Sequence, residues 1–91
     1  MEKLIFDFNA LNRIFPFYFV IGQDLTFTQI GKSLMKLDPT LRAGNNWKDH
    51  FKMLRPELEK NDFHHFCEIC DHLIIMVNQK TRISFQGQWE K

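Results

Sequence analysis

The stretch Phe17-Tyr18-Phe19-Val20-Ile21-Gly22-Gln23-Asp24-Leu25-Thr26-Phe27-Thr28-Gln29-Ile30 decides how the rest of the chain is read. Its first five residues are aromatic or β-branched, the types that fit a pleated, half-buried surface. Gly22-Gln23-Asp24 interrupts them with turn formers, and Leu25 to Ile30 then alternates apolar with polar until Gly31. Two such runs about a short polar break predict a β-hairpin. Just beyond it, Lys32 to Leu37 predicts a short helix closed by Asp38-Pro39, and Leu41 to Asn46 a loop around Gly44. Trp47, Phe51 and Leu54, at i, i+4 and i+7, predict a second short helix over Trp47 to Leu54, broken by Arg55-Pro56.

On the N-terminal side, Leu4, Phe8, Leu11 and Phe15 fall at i, i+4, i+7 and i+11, one stripe of a helix over residues 2–15 that Pro16 stops. Ile5, Phe6 and Ile14 lie beside that stripe, so such a helix carries more apolar surface than one contact with a small domain hides. The stripe therefore predicts a helix that pairs with a second copy of itself, with Leu4, Ile5, Phe8, Leu11 and Phe15 as the dimer interface.

Further along, Asn61 or Asp62 can cap a helix from Phe63 to about His72 by accepting a hydrogen bond from an otherwise orphaned backbone N–H. At about 100° per residue, Phe63, Phe66, Cys67, Ile69, Cys70 and Leu73 share one side, and His64, His65, Glu68, Asp71 and His72 the other. Leu73 to Val77 then predicts a strand and Asn78-Gln79-Lys80 a turn. Arg82 to Trp89 follows as the antiparallel partner, with Ile83, Phe85 and Gly87 on one face. The expected order is helix, two strands, short helices, a longer helix and two strands. This is an α+β chain read as one domain over residues 1–91.

Composition agrees with that scale. In 91 residues, 44% hydrophobic and 14% aromatic with ten phenylalanines, there is room for one domain and apolar mass enough for its core. Twelve Lys and Arg against eleven Asp and Glu give a net charge of +1, no broad footprint for a nucleic-acid backbone. The longest apolar runs fall far short of the roughly 20 residues of a membrane helix. Met1-Glu2-Lys3-Leu4 lacks the pattern of a signal peptide, so the expected location is the cytoplasm, with no membrane partner.

Cys67-Glu68-Ile69-Cys70 with His64, His65 and His72 nearby has the donor types of a zinc site. The helical reading points the thiols to the apolar side and the imidazoles to the other, so one helix cannot converge four ligands. A thioredoxin-type pair needs its first thiol at an exposed helix N-terminus, and Cys67 lies a turn inside. No Gly-rich phosphate loop, His-Glu-x-x-His or Gly-x-Ser-x-Gly occurs. The expectation is a domain with no catalytic residue, metal ligand or cofactor.

The ordered set Phe15-Pro16-Phe17, Asp24-Leu25, Gln29, Gly31, Leu34, Pro39, Gly44, Phe51, Arg55-Pro56, Phe63 and Gly87-Gln88 resembles the haem-NO-binding-associated PAS domain. That domain lies beside the H-NOX sensor in soluble guanylate cyclases and in some bacterial histidine kinases. The resemblance runs from about residue 12 to residue 89. It implies a PAS-like antiparallel sheet with flanking helices, and a non-catalytic module that dimerises and relays the state of an H-NOX sensor to an output domain, a histidine kinase first and a nucleotide cyclase second. A small-ligand-binding PAS sensor is the alternative. Some PAS sensors ligate haem through a histidine on the long helix, but the three histidines here fall on its hydrophilic side. The Asn-Cys-Arg-Phe-Leu stretch of flavin-binding PAS domains is missing.

Pro16, Asp24, Gly31, Arg55, Pro56, Gly87 and Gln88 are the motif positions with an expected structural role. Gly22 and Gly31 are expected where the chain turns with angles that favour glycine. Arg55 is expected to hold Asp24 or a backbone carbonyl through its planar fork. A PAS sheet has five strands, the fifth set between the first and fourth. By this reading the fifth is absent, leaving a central place for a neighbouring chain, the N-terminal segment or a shifted fourth strand.

Overall fold

The computed structural model describes residues 2–8 and 18–91. Its strands, in chain order, are β1 (Leu4–Phe8), β2 (Tyr18–Ile21), β3 (Phe27–Ile30), β4 (Phe51–Arg55), β5 (Ile74–Asn78) and β6 (Ser84–Glu90). Helix α1 (Lys32–Leu37), a 3-10 turn at Trp47–Asp49 and helix α2 (Phe63–Glu68) lie between β3 and β5. The fold is α+β. Among the described residues six strands form one antiparallel sheet in the order β3-β2-β1-β6-β5-β4.

The hairpin and the first short helix form where the sequence places them. Phe19 pairs with Ile30 and Val20 with Gln29, and a register shift between Val20 and Ile21 brings Ile21 opposite Phe27. α1 covers Lys32–Leu37, with Asp38 as its C-terminal cap. Gly31 has φ of −65°, open to any residue, and Gly22 is not among the residues with positive φ. Among the described residues the left-handed positions are instead Leu25, Arg82 and Gly44, so these turns rest on other residues than the two glycines expected.

The N-terminal segment is the largest departure. Leu4–Phe8, expected as the first turn and a half of a helix, is a strand between β2 and β6. Residues four apart share a side on one turn of a helix and across two pleats of a strand, so Leu4 and Phe8 fit both. Leu4 and Phe6 are fully buried and Ile5 is exposed, which is the period of a strand. The remainder of the expected helix, with Leu11, Phe15 and Pro16, lies outside the described residues.

The second departure follows from the first kind of ambiguity. Only Trp47–Asp49 is helical in the segment expected as a helix, and Phe51–Arg55 is the edge strand β4. Phe51 and Met53 alternate with Lys52 and pair with Asn78 and Met76 of β5, and a register shift after Met53 brings Arg55 opposite Ile75. Pro56 thus punctuates a strand rather than a helix. With β4 counted, the strands from the hairpin onward are five, β2 to β6, and the place between the first and the last of them, β2 and β6, is occupied by β1. The central place is filled by the N-terminal segment, one of the three occupants considered.

The core lies on one face of the sheet. Leu4, Phe6, Phe19, Ile21, Phe51, Ile74, Met76 and Trp89 meet Leu34 of α1, Trp47, and Phe63, Phe66 and Ile69 on or beside α2. Aromatic rings dominate it: Phe66 stacks on Trp89 at 4.7 Å between centroids, Trp89 meets Phe6 edge-on at 5.0 Å, and Trp47 meets Phe66 edge-on at 5.1 Å. Among the described residues no helix is long and apolar enough to cross a membrane.

Candidate functional site

The other face of the sheet is the surface the fold presents. Side chains alternate across a strand, so the residues between the buried ones point away from the helices. On β6 these are Ser84, Gln86, Gln88 and Glu90, all exposed. Register sets Ile75 beside Gln86, Val77 beside Ser84, and Ile5 beside Glu90 on one side and Val20 on the other. The result is a polar central column with Ile75 and Val77 along one flank and, on the other, Ile5 opposite Glu90 and Asp7 opposite Gln88. Tyr18 Oη, on the same face, accepts a hydrogen bond from Gln29 Nε2 at 2.7 Å.

Of the five residues expected at a dimer interface, Ile5 lies on this open face at 36% exposure. Leu4 does not: the strand geometry turns it into the core. The side chain of Phe8 and the whole of Leu11 and Phe15 lie outside what the structure describes.

α2 bears out its expected division except at one end. Asp62 is the cap: its Oδ1 accepts from the His65 backbone N–H at 2.9 Å and lies 2.6 Å from His65 Nδ1. Those two bonds hold the Asp62 carboxyl below the usual carboxylate range. Phe63, Phe66 and Ile69 are buried and Cys67 and Cys70 half-buried, while His64, Glu68, Asp71 and His72 are exposed and His65, bonded to Asp62, is half-buried. The helix stops at Glu68, so Leu73 leaves the shared side and stands 50% exposed.

Cys67 and Cys70 are half-buried against the core, unbridged, with Cys70 Sγ 3.8 Å from the Phe66 carbonyl oxygen. Burial pushes both thiols up, away from the thiolate a redox or metal centre uses. Among the described residues no group of three or more His, Cys, Asp and Glu side chains is placed to hold a metal ion.

Arg55 does not reach Asp24. The two lie at opposite ends of the strand order, Arg55 on β4 and Asp24 before β3. Asp24 Oδ1 instead accepts from the Thr26 backbone N–H at 3.0 Å, a bond that lowers its pKa, and its carbonyl accepts from Asn46 Nδ2 at 2.8 Å. Arg55 lines an open groove of about 410 Å³ with Leu54, Pro56, Glu57, His72 and Leu73. Gly87 is buried in β6 between Phe8 and Ile74 in register, and Gln88 lies on the open face.

Among the described residues three polar side chains are buried, which the sequence did not announce: Asp38, His50 and Asn78. They come from segments far apart in the chain, and Asn78 bonds Asp38 across forty residues. Asp38-Pro39 marks a helix end and Asn78-Gln79-Lys80 a turn in the sequence, but nothing local points to the burial of either side chain or to His50.

The family model described as haem NO binding associated matches residues 4–89, from the first residue of β1 to the penultimate residue of β6. The chain belongs to the haem-NO-binding-associated family. No curated protein matches it. A haem-NO-binding-associated domain is a non-catalytic companion of H-NOX sensors, which ties this chain to nitric oxide signalling.

Proposed function

We propose that this haem-NO-binding-associated domain is a PAS-like relay and dimerisation module in the cytoplasm, passing the state of an H-NOX sensor to an output domain. The family match over residues 4–89 carries this reading, because it spans the described strands and helices up to the penultimate residue of β6. The strand order supports the PAS-like part. Taken as first to fifth, β2, β3, β4, β5 and β6 run 2-1-5-4-3 across the sheet, with β1 inserted between the first and the fifth.

The parent protein is a histidine kinase in this reading, with a nucleotide cyclase as the other output. Two copies meet through the open face of the sheet, where Ile5 stands beside Val20 and Glu90. A symmetric pairing brings the same patch from each copy together, so one exposed aliphatic residue there counts twice. Sedimentation velocity tests it. The chain is expected to be dimeric at tens of micromolar, and Ile5→Glu to be monomeric with an unchanged far-UV spectrum. A wild-type monomer at that concentration, or a dimer indifferent to Ile5→Glu, overturns the interface.

A second reading, a small-ligand sensor, draws on the buried indole N–H groups of Trp47 and Trp89, which lack hydrogen-bond partners. A ligand offering acceptors between the helices and the sheet would satisfy them. Native mass spectrometry of freshly purified protein distinguishes this reading by a bound mass that Trp89→Phe removes.

A further inference from the structure

Where the turn between β5 and β6 lies, polar side chains from three segments meet below the surface. Asp38 follows α1 and is 2% exposed, His50 precedes β4 and is 6% exposed, and Asn78 ends β5. Asp38 Oδ1 accepts from the Thr40 backbone N–H at 3.1 Å and from its hydroxyl at 2.5 Å, and Oδ2 accepts from Asn78 Nδ2 at 2.9 Å. The Thr40 hydroxyl oxygen accepts in turn from Lys80 Nζ at 2.9 Å. Asn78 Oδ1 takes the backbone N–H groups of Lys80 and Thr81, so the same side chain shapes the β5–β6 turn.

His50 is the unfinished member. Its Nδ1 lies 3.8 Å from Asp38 Oδ2, and it is buried without a hydrogen-bond partner. Its ring rests edge-on against Phe27 and its carbonyl accepts from the Gln79 N–H, so the residue is held from both sides. At 3.8 Å the pair is too long for a hydrogen bond, yet too close for the charge on one to leave the other unaffected. A neutral ring carries one proton on either nitrogen; the imidazolium carries both and adds a charge.

We propose that Asp38 and His50 form a proton-operated latch. With the imidazole protonated, Nδ1–H closes onto Asp38 Oδ2 and ties the loop after α1, the start of β4 and the β5–β6 turn into one unit. With the proton released, Asn78 and Lys80 still hold the loop after α1 to the β5–β6 turn and Gln79 still holds the start of β4 there, but the bond between the Asp38 carboxylate and the His50 ring is gone. Asp38 is suited to the part. Burial pushes its carboxyl up, but the bonds from Thr40 and Asn78 and the charge of His50 outweigh that and hold it below the usual range. It is therefore the anion throughout the range, about pH 5 to 8, where imidazoles titrate. The other charged groups about the cluster are Lys80, bound to Thr40 from the β5–β6 turn, and the exposed Lys48, Asp49 and Lys52 that flank His50 along the chain.

Urea unfolding of the wild type, Asp38→Asn, His50→Gln and the double variant tests the latch at about pH 6 and about pH 8. The coupling between the two positions is expected to reach the order of tenfold in the folding equilibrium at the lower pH and to vanish at the higher. Equal coupling at both overturns the proposal. Should a variant fail to fold, the imidazole ¹⁵N shifts of wild-type His50 decide: a protonated, hydrogen-bonded Nδ1 appearing as the pH falls across that range supports the latch. A ring that stays neutral across it overturns the proposal.

Discussion

The two faces of one sheet are built by opposite rules, although the same strands supply both. On the packed face, Phe6, Phe19, Phe51 and Trp89 touch one another and the helices, so each ring is held by several neighbours. On the open face, Ser84, Gln86, Gln88 and Glu90 stand exposed in a row, opposite Val77, Ile75, Asp7 and Ile5. Dense interiors transmit a shift because they cannot deform continuously, whereas a solvated surface can exchange contacts at small cost. A relay needs both: a stiff side that registers a change and a soft side that reports it.

Trp89→Ala is the harshest test of that contrast. Trp89 sits on the central strand β6 and contacts Phe6, Phe19 and Phe66, so its removal is expected to cost about 3–5 kcal/mol. In a domain this small that leaves little cooperative unfolding, measurable as loss of the near-UV signal and of the urea transition. A milder loss would mean that the packed face repacks as freely as the open one.

The polar corner of the packed face gives an intermediate effect that pH can tune. Asp38 has its carboxyl pKa lowered in the fold, so its contribution is present above the unfolded value of about 3.9 and is lost as the pH falls through the lower folded value. Wild-type stability is expected to drop across that acid window, and Asp38→Asn to be less stable at neutral pH with a flatter acid limb in thermal melts. An unchanged acid limb would show that the corner contributes no more than an exposed carboxylate. The least effect is expected on the open face: Gln86→Lys should leave monomer stability within about 0.5 kcal/mol in urea unfolding while weakening self-association.

What was legible in the sequence was whatever local rules decide. The hairpin at Tyr18–Ile30, helix α1 and the Asp62 cap of α2 each depend on residues a few positions apart, and each formed near its expected place. β1 and β4 were misread because short apolar segments with four-residue spacing fit helix and strand alike. The choice was made by partners elsewhere, β6 for β1 and β5 for β4. The same holds for Arg55, whose charge suggested a partner but not which edge of the sheet it would occupy. The Asp38–His50–Asn78 corner was illegible for a stronger reason: three unremarkable polar residues acquire their meaning only when the sheet brings them together.

The pairing of Ile5 with Glu90 has a mechanical consequence. β1 and β6 are antiparallel, so the chain that leads into Leu4 and the chain that leaves Glu90 pass the same end of adjacent strands. A pull applied through both loads the ladder one hydrogen bond at a time, from Ile5 inward, and peels rather than shears it. Such a sheet yields to small forces at its centre while its outer strand pairs, β2–β3 and β4–β5, keep their shape. Whatever is attached on either side would be felt first where the two strands meet.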